Sequence, residues 1–302
     1  MKIGRMTFSL AKAWLNHTGK AFLRAKPDFA EYQKFLNVDI DDSGLDSHRY
    51  DVILAKESNR KNVTLIDIHG GAYVYSTRRH NELFLNYFLE RGFDIVALDY
   101  PLNNGKQDCQ DQLNILWEQF AHLAAHWQEY GLGSRVFITG DSAGGHFALL
   151  LAIAFTDPAT REAFGWPKID LSPLGILLNC PVYDFASVGR ENPMTHYVAT
   201  QLIGKRHVDE AYLNLVSPKT YFPKLQTPLF FSSCKRDFIG VHSKRLEDDA
   251  KKLGKDYEFC FIDSDDKKVA HVHNVLNLKL PDSIRVNDAM IAFMDRYLSD
   301  ND

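Results

Sequence analysis

The chain has 302 residues, 45% of them hydrophobic and 12% aromatic, with a formal net charge of −4. This composition supplies a buried core and excludes a disordered chain, and the length suits one large α/β domain, here taken as residues 1–302. Basic residues gather at most in pairs, as at Lys251-Lys252 and Lys267-Lys268, so the electrostatic footprint of a nucleic-acid binder is missing.

At the N-terminus, Met6, Leu10 and Trp14 recur every four residues, as one face of an amphipathic helix does. Lys12 interrupts the apolar run and no small-residue cleavage site follows, so the stretch reads as a helix lying on the body and not as a signal peptide. No segment has the length of a membrane span.

Apolar blocks then alternate with helical patterns. Strands are expected at Tyr50–Lys56, Val63–Ile68, Phe93–Leu98, Val136–Thr139, Leu174–Asn179, Pro228–Ser233 and Tyr257–Ile262. Several are continuously apolar, as strands covered on both faces should be. Between Asp108 and Tyr130, the residues Leu113, Trp117, Phe120, Ala124 and Trp127 form one helical stripe that Gly131 and Gly133 close. Ala143 to Phe155 is apolar all round and predicts a buried helix; Asp282 or Ser283 is expected to cap a last helix ending near Leu298. This is the pattern of a mostly parallel sheet between helical layers. Residues 1–46 and 181–222 do not fit the alternation and are expected to form cap elements over a site. Asp67, a charge inside an apolar strand, has no account at this stage.

The four cysteines, Cys109, Cys180, Cys234 and Cys260, are far apart and form no disulfide or zinc framework. Three lie in or beside apolar strands, where a free cysteine acts as a small hydrophobe. A reducing, cytoplasmic location is the expectation.

Chemistry concentrates in Gly140-Asp141-Ser142-Ala143-Gly144-Gly145, between a strand and the Ala-rich helix. A serine at a tight strand-to-helix turn needs neighbours without side chains two positions away on either side, and the helix N-terminus favours developing negative charge. His69-Gly70-Gly71-Ala72 follows another strand. Paired glycines there expose backbone N–H groups, so the amides of Gly70, Gly71 and Ala143 are the expected oxyanion donors, with His69 organising the loop.

These motifs resemble the hormone-sensitive-lipase-like, or HGGG-type, branch of the α/β-hydrolases, as do Leu98-Asp99-Tyr100-Pro101-Leu102, similar to its DYRL-type segment, and Ser217-Pro218, similar to its landmark at the end of the cap. Ala72 departs from the third glycine, and Asn103-Asn104-Gly105 replaces an expected APE. The resemblance implies an α/β-hydrolase fold with a helical cap, and an esterase with a Ser-Asp-His order along the chain. Ser142 is then the nucleophile and Asp237, after the strand Pro228–Ser233, the acid. Asp263, Asp265 and Asp266 read as a solvated loop, and Asp248 and Asp249 as a polar helix face. The base is His271 or His273 in Ala270-His271-Val272-His273, with His271 matching the family's histidine. His80, His122, His126, His196, His207 and His242 read as helix-surface or loop residues.

Tyr73, Tyr75 and Tyr183, with Phe185 and Tyr197, are expected to line an apolar pocket for a small carboxylic ester. No cofactor is expected. An HxH pair can form half a metal site, but no further ligands stand at matched spacing, so no metal is expected either. The rival functions are a non-catalytic ligand-binding member of the same fold and a peptidase or amidase using the same residues. Association into a homo-oligomer is left open.

Overall fold

A computed structural model describes residues 27–103, 107–187 and 210–299. Eight strands, β1 (Lys34–Asp39), β2 (Arg49–Ile53), β3 (Val63–Ile68), β4 (Phe93–Leu98), β5 (Arg135–Asp141), β6 (Pro173–Asn179), β7 (Leu229–Cys234) and β8 (Tyr257–Ile262), form one sheet ordered β1-β2-β4-β3-β5-β6-β7-β8. The pairs β1–β2 and β2–β4 are antiparallel and all the others parallel.

Helices cover both faces. They are α1 (Glu82–Leu89), α2 (Cys109–Tyr130), α3 (Ala143–Thr156), α4 (Pro158–Phe164), α5 (Glu210–Leu215), α6 (Pro218–Tyr221), α7 (Gly240–Lys252), α8 (His273–Leu276) and α9 (Pro281–Ser299). One apolar layer joins Ile66, Ile68, Val96 and Ile138 to α2, α3 and α7; the other joins Val63, Leu65, Ile95 and Phe137 to α1 and α9. Period-two alternation along β3 divides its side chains between these layers, and so places Asp67 on the face of α1.

Local chemistry accounts for the helix ends. Asp108 accepts from the amides of Gln110 and Asp111, while the Asp111 carboxyl accepts from the Asp108 amide, a reciprocal capping box. Gly131, at φ 66°, ends α2 in the left-handed region. Every residue of α3 from Ala143 to Phe155 is buried, as its composition implies.

Two expectations change. Residues 34–39 are not a cap element but an edge strand; no residue of β1 is buried, and it carries a register shift between Phe35 and Val38, so no apolar block marks it. The last helix starts at Pro281, one residue before the expected caps, and the Ser283 hydroxyl bonds His273 instead of capping. The expected helix around Met6, Leu10 and Trp14 lies outside the described residues, as do Tyr197, His196 and His207. Residues 181–187 and 210–222 of the second expected cap element are described, and they are tied to the body: the Ser217 hydroxyl accepts from the Phe185 amide at 3.0 Å, and Phe185, Val216 and Phe222 enter the α2–α3–α7 layer.

The four cysteines are free, with Cys109, Cys180 and Cys234 buried. Among the described residues no helix is long and apolar enough to cross a membrane.

At Gly144, an added Cβ would lie 1.9 Å from the Ile68 carbonyl oxygen and 2.6 Å from that of His69. Backbone cannot yield as a side chain does, so Gly144→Ala should lower unfolding free energy by about 1–3 kcal/mol or more, read from the urea midpoint.

Candidate active site

The strand β5 ends at Asp141, and the chain turns into α3 through Ser142 at φ 52°, ψ −113°. A non-glycine residue in that region is strained and needs its surroundings to hold it. The Ser142 amide donates to the Asn179 carbonyl at 2.8 Å, and the Ser142 carbonyl accepts from the His146 amide at 3.1 Å. Gly140 and Gly144 provide the clearance: a Cβ on Gly140 would meet the Gly144 carbonyl group at 2.5 Å. The serine side chain stays partly exposed between buried neighbours.

His271 reaches this serine. Its Nδ1 donates to Asp237 Oδ1 at 2.7 Å, which leaves Nε2 to accept from Ser142 Oγ at 2.9 Å. Val272, at φ 50°, turns the chain so that His273 points elsewhere; His273 Nδ1 lies 2.9 Å from Ser283 Oγ in α9, and burial pushes its pKa down. The two candidate histidines are thereby separated, and His271, the one the resemblance favoured, meets Ser142.

Asp237 stands in the turn after β7 with a fully buried side chain. Burial alone would raise its pKa, but the His271 charge, together with hydrogen bonds from His271, from Ser233 Oγ at 2.8 Å and from the Ile239 amide at 3.1 Å, holds it below the usual carboxylate range. Phe238 packs its ring 4.4 Å from the His271 ring while remaining 54% exposed. No sequence signal marked it beyond its place next to Asp237.

The glycine loop differs in one respect from the expectation. The Gly70 amide donates to Asp141 Oδ1 at 2.8 Å, so it is not available as an oxyanion donor. Among the described residues the amides of Gly71, Ala72 and Ala143 bond no protein acceptor. Gly71 at φ 118°, Ala72 at 51° and Tyr73 at 66° form a left-handed run that a third glycine would have eased.

His69 organises the loop from beneath. It is fully buried, its Nδ1 donates to the Gly70 carbonyl at 2.6 Å and its Nε2 to Asp99 Oδ1 at 3.0 Å. Burial would lower its pKa, but the hydrogen bond and charge of Asp99 outweigh burial and raise it, which matches a ring donating from both nitrogens. Tyr100 stacks on that ring at 4.3 Å and donates to the His69 carbonyl at 2.9 Å. The segment Leu98–Leu102 is therefore a brace for the loop.

Of the expected pocket residues, Tyr75 is half-buried with its ring against His80. Tyr73 is buried, its hydroxyl 2.9 Å from His146 Nδ1, and Tyr183 is fully buried, donating to Asp249 at 2.7 Å; both, with Phe185, belong to the core and not to an open wall. His242, expected near the surface, is buried and accepts from the amides of Tyr183 and Asp184. His146 drew no notice in the sequence: its Nε2 donates to the Val216 carbonyl at 2.6 Å, and burial pushes its pKa down to about 4. Asp263 and Asp265 lie on an exposed loop with Lys235, as expected.

A cavity of about 640 Å³ is bounded by Leu45, Asp46, Tyr100, Leu102, Asp111 and Glu118 and by none of Ser142, Asp237 and His271. Among the described residues, one group has metal-ligand spacing, Cys180, Asp237 and His271. His273 is not part of it, bonded instead to Ser283, and the group's imidazole is already bonded to Asp237 and Ser142.

Residues 50–247 match the family BD-FAE. LipM of Mycobacterium tuberculosis, a probable carboxylic ester hydrolase, is 27% identical over 182 residues, covering 58% of this chain and 41% of that protein. The chain thus spans about two fifths of the length of the curated relative it matches. Among solved structures, a C6-C4 SN3 inhibited esterase B from Lactobacillus rhamnosis superposes with a TM-score of 0.88 at 22% identity, over 99% of this chain and 98% of that one. An esterase of the bacterial hormone-sensitive lipase family gives 0.67 at 19% identity, over 90% and 86%. The fold is that of the α/β-hydrolase esterases.

Tyr73→Phe would leave the buried His146 Nδ1 unpartnered. It should cost about 1–3 kcal/mol in thermal or chemical denaturation.

Proposed function

The chain belongs to the BD-FAE family, and on that premise we propose that it is a carboxylic ester hydrolase that cleaves small, short-chain esters through an acyl-enzyme on Ser142. The observation that carries this reading is the hydrogen-bond chain from Ser142 Oγ to His271 Nε2 at 2.9 Å and from His271 Nδ1 to Asp237 at 2.7 Å.

Ser142 Oγ attacks the ester carbonyl carbon while its proton passes to His271 Nε2. The Asp237 carboxylate fixes the tautomer and stabilises the imidazolium. Negative charge collects on the former carbonyl oxygen, against the amides of Ala143 and Gly71, with Ala72 beside them, at the N-terminus of α3. His271 then gives its proton to the departing alkoxide. Water, deprotonated by the same imidazole, cleaves the acyl-enzyme and restores Ser142.

Short-chain preference rests on different support. The exposed Phe238 ring, 4.4 Å from the imidazole ring, offers aromatic surface of limited extent for an acyl or alkyl group. The esterase B structure was solved with C6-C4 SN3 inhibition, which belongs to that protein and serves here as a guide.

A fluorophosphonate probe should label wild type and not Ser142→Ala, and the variant should lose p-nitrophenyl butyrate turnover. His271→Ala should be inactive and His273→Ala largely active, while Asp237→Asn should lower kcat about 10³–10⁴-fold. Labelling without ester turnover would favour a peptidase or amidase. No labelling of folded wild type would favour a binding protein. Turnover of p-nitrophenyl decanoate above that of the acetate and butyrate would overturn the short-chain assignment.

A further inference from the structure

Asn81 stands at the N-cap position of α1, where an asparagine side chain ordinarily accepts from the first free amides of the helix. Here it makes no such bond. The side chain is 2% exposed, and its amide hydrogens go to two carboxyl groups: Nδ2 lies 3.1 Å from Asp67 Oδ2 and 2.9 Å from Asp141 Oδ1. Asp141 Oδ1 also accepts from the Gly70 amide at 2.8 Å. A continuous buried path therefore runs from Asp67 in the central strand β3, through Asn81 and Asp141, to the first glycine of the loop whose next two amides, of Gly71 and Ala72, bond no protein acceptor among the described residues.

We infer that Asp67 and Asn81 are positioning residues for the oxyanion loop, acting through Asp141 on the Gly70 amide, and that Asp67 works in its protonated form. The inference rests on the esterase reading above for its consequence in catalysis, though not for its account of the acid.

Two carboxyl groups share one carboxamide, with Asp67 1% and Asp141 6% exposed. Among the described residues Asn81 is the only hydrogen-bond donor to Asp67. The neighbouring cation, His69, is committed elsewhere, to Asp99 and to the Gly70 carbonyl. A second negative charge here would be buried and poorly compensated, the arrangement in which one of two acids keeps its proton. Burial, and next the charge of Asp141, push Asp67 up to about 8, against weaker lowering by Asn81 and His69. The titratable groups acting around this path are Asp141 at the end of β5, His69 after β3, Tyr100 after β4 and His80 before α1. Burial, the largest influence on His80, lowers its pKa, so His80 supplies no standing cation in the alkaline range.

When Asp67 loses its proton, its carboxylate competes with Asp141 for Asn81 and repels Asp141 itself. The Asp141–Gly70 bond then loosens, and with it the placement of the Gly71 and Ala72 amides. Such a change lowers kcat with little effect on KM, because it acts on charge that develops only in the transition state.

The decisive comparison is Asp67→Asn against wild type, since a carboxamide keeps the donor and acceptor of the neutral acid. In wild type, kcat should fall about tenfold per pH unit above a midpoint near 8. In Asp67→Asn, kcat at neutral pH should stay within about threefold and the alkaline fall should move up by about one unit or more. An unchanged alkaline limb overturns the inference. Asn81→Ala should lower kcat by about 10²-fold at unchanged KM, the scale of losing one oxyanion donor; an unaffected kcat also overturns it.

Two measurements need no turnover. Infrared difference spectra of wild type at neutral pH should contain a protonated-carboxyl band that bleaches as the pH rises past about 8 and is missing in Asp67→Asn; no such band sinks the inference even if the ester is never found. Stability gives the second. The folded value lies above the ordinary 3.8, so the contribution of Asp67 is fully present below 3.8 and lost as the pH rises towards about 8. Asp67→Asn should therefore gain Tm over wild type progressively across that window, and a constant difference counts against the assignment. Should Asp67→Asn fail to fold, Asp67→Ser serves for the same pH comparison. Failure of the esterase reading shows separately, as absent fluorophosphonate labelling or as labelling without ester turnover.

Discussion

The closeness of α3 to the end of β3 is the constraint on which the site depends. Backbone meets backbone there, with the carbonyls of Ile68 and His69 lying where Gly144 would carry a Cβ. This contact brings the glycine loop beside the first turn of α3, whose free amide at Ala143 is the dipole's positive end. It also fixes Ser142 in a strained conformation, at φ 52°. The strain is local, but the whole parallel sheet opposes its relaxation, because β5 is paired on both edges, with β3 and β6. A surface turn would not hold such a residue.

Four buried acids stand close to this junction, and each is accommodated by different physics. Asp237 has an imidazole, a hydroxyl and an amide directed at it. Asp99 is held down by His69 and Arg78 despite its burial. Asp141 takes an amide from the glycine loop and one from Asn81. Asp67 has part of one carboxamide, and the proposed outcome is neutrality. The graded supply of donors separates groups of identical chemistry into anchors, a proposed orienting acid and a proposed proton-bearing one.

Much of this was legible in the sequence, for identifiable reasons. Strands β3, β4 and β8 fall at the expected residues because dense apolar runs are a strong signal even with one charge in each (Asp67, Asp94, Glu258), whereas β1 is an exposed edge with no such run. Ser142 was legible because its glycines answer to steric rules within five residues. The choice between His271 and His273 rested on the family resemblance, which favoured His271, because the left-handed Val272 on which it turns is a residue type that does not announce that conformation. Tyr73 and Tyr183 read as pocket residues because an aromatic ring suits a wall and a core equally; their hydroxyl partners, His146 and Asp249, lie far away in sequence. The loss of Gly70 as a donor is of the same kind. A glycine motif tells that amides can be exposed, and not which of them a carboxyl group has already taken.

Asp141 and Ser142 are adjacent in the chain yet belong to separate networks. As the last residue of β5, Asp141 still obeys strand alternation and extends to the α1 side, where Asn81 and Gly70 meet it. One residue later the positive φ breaks that alternation and turns Ser142 towards His271. A serine that continued the strand would simply have pointed into the layer under α3, away from solvent. The same backbone inversion thus does two things: it presents Ser142 to His271, and it leaves its neighbour behind to hold the glycine loop. The proposed nucleophile and the proposed oxyanion donors are consequently referenced to a single point of the sheet, so that displacement of β5 carries both together and their mutual geometry is preserved.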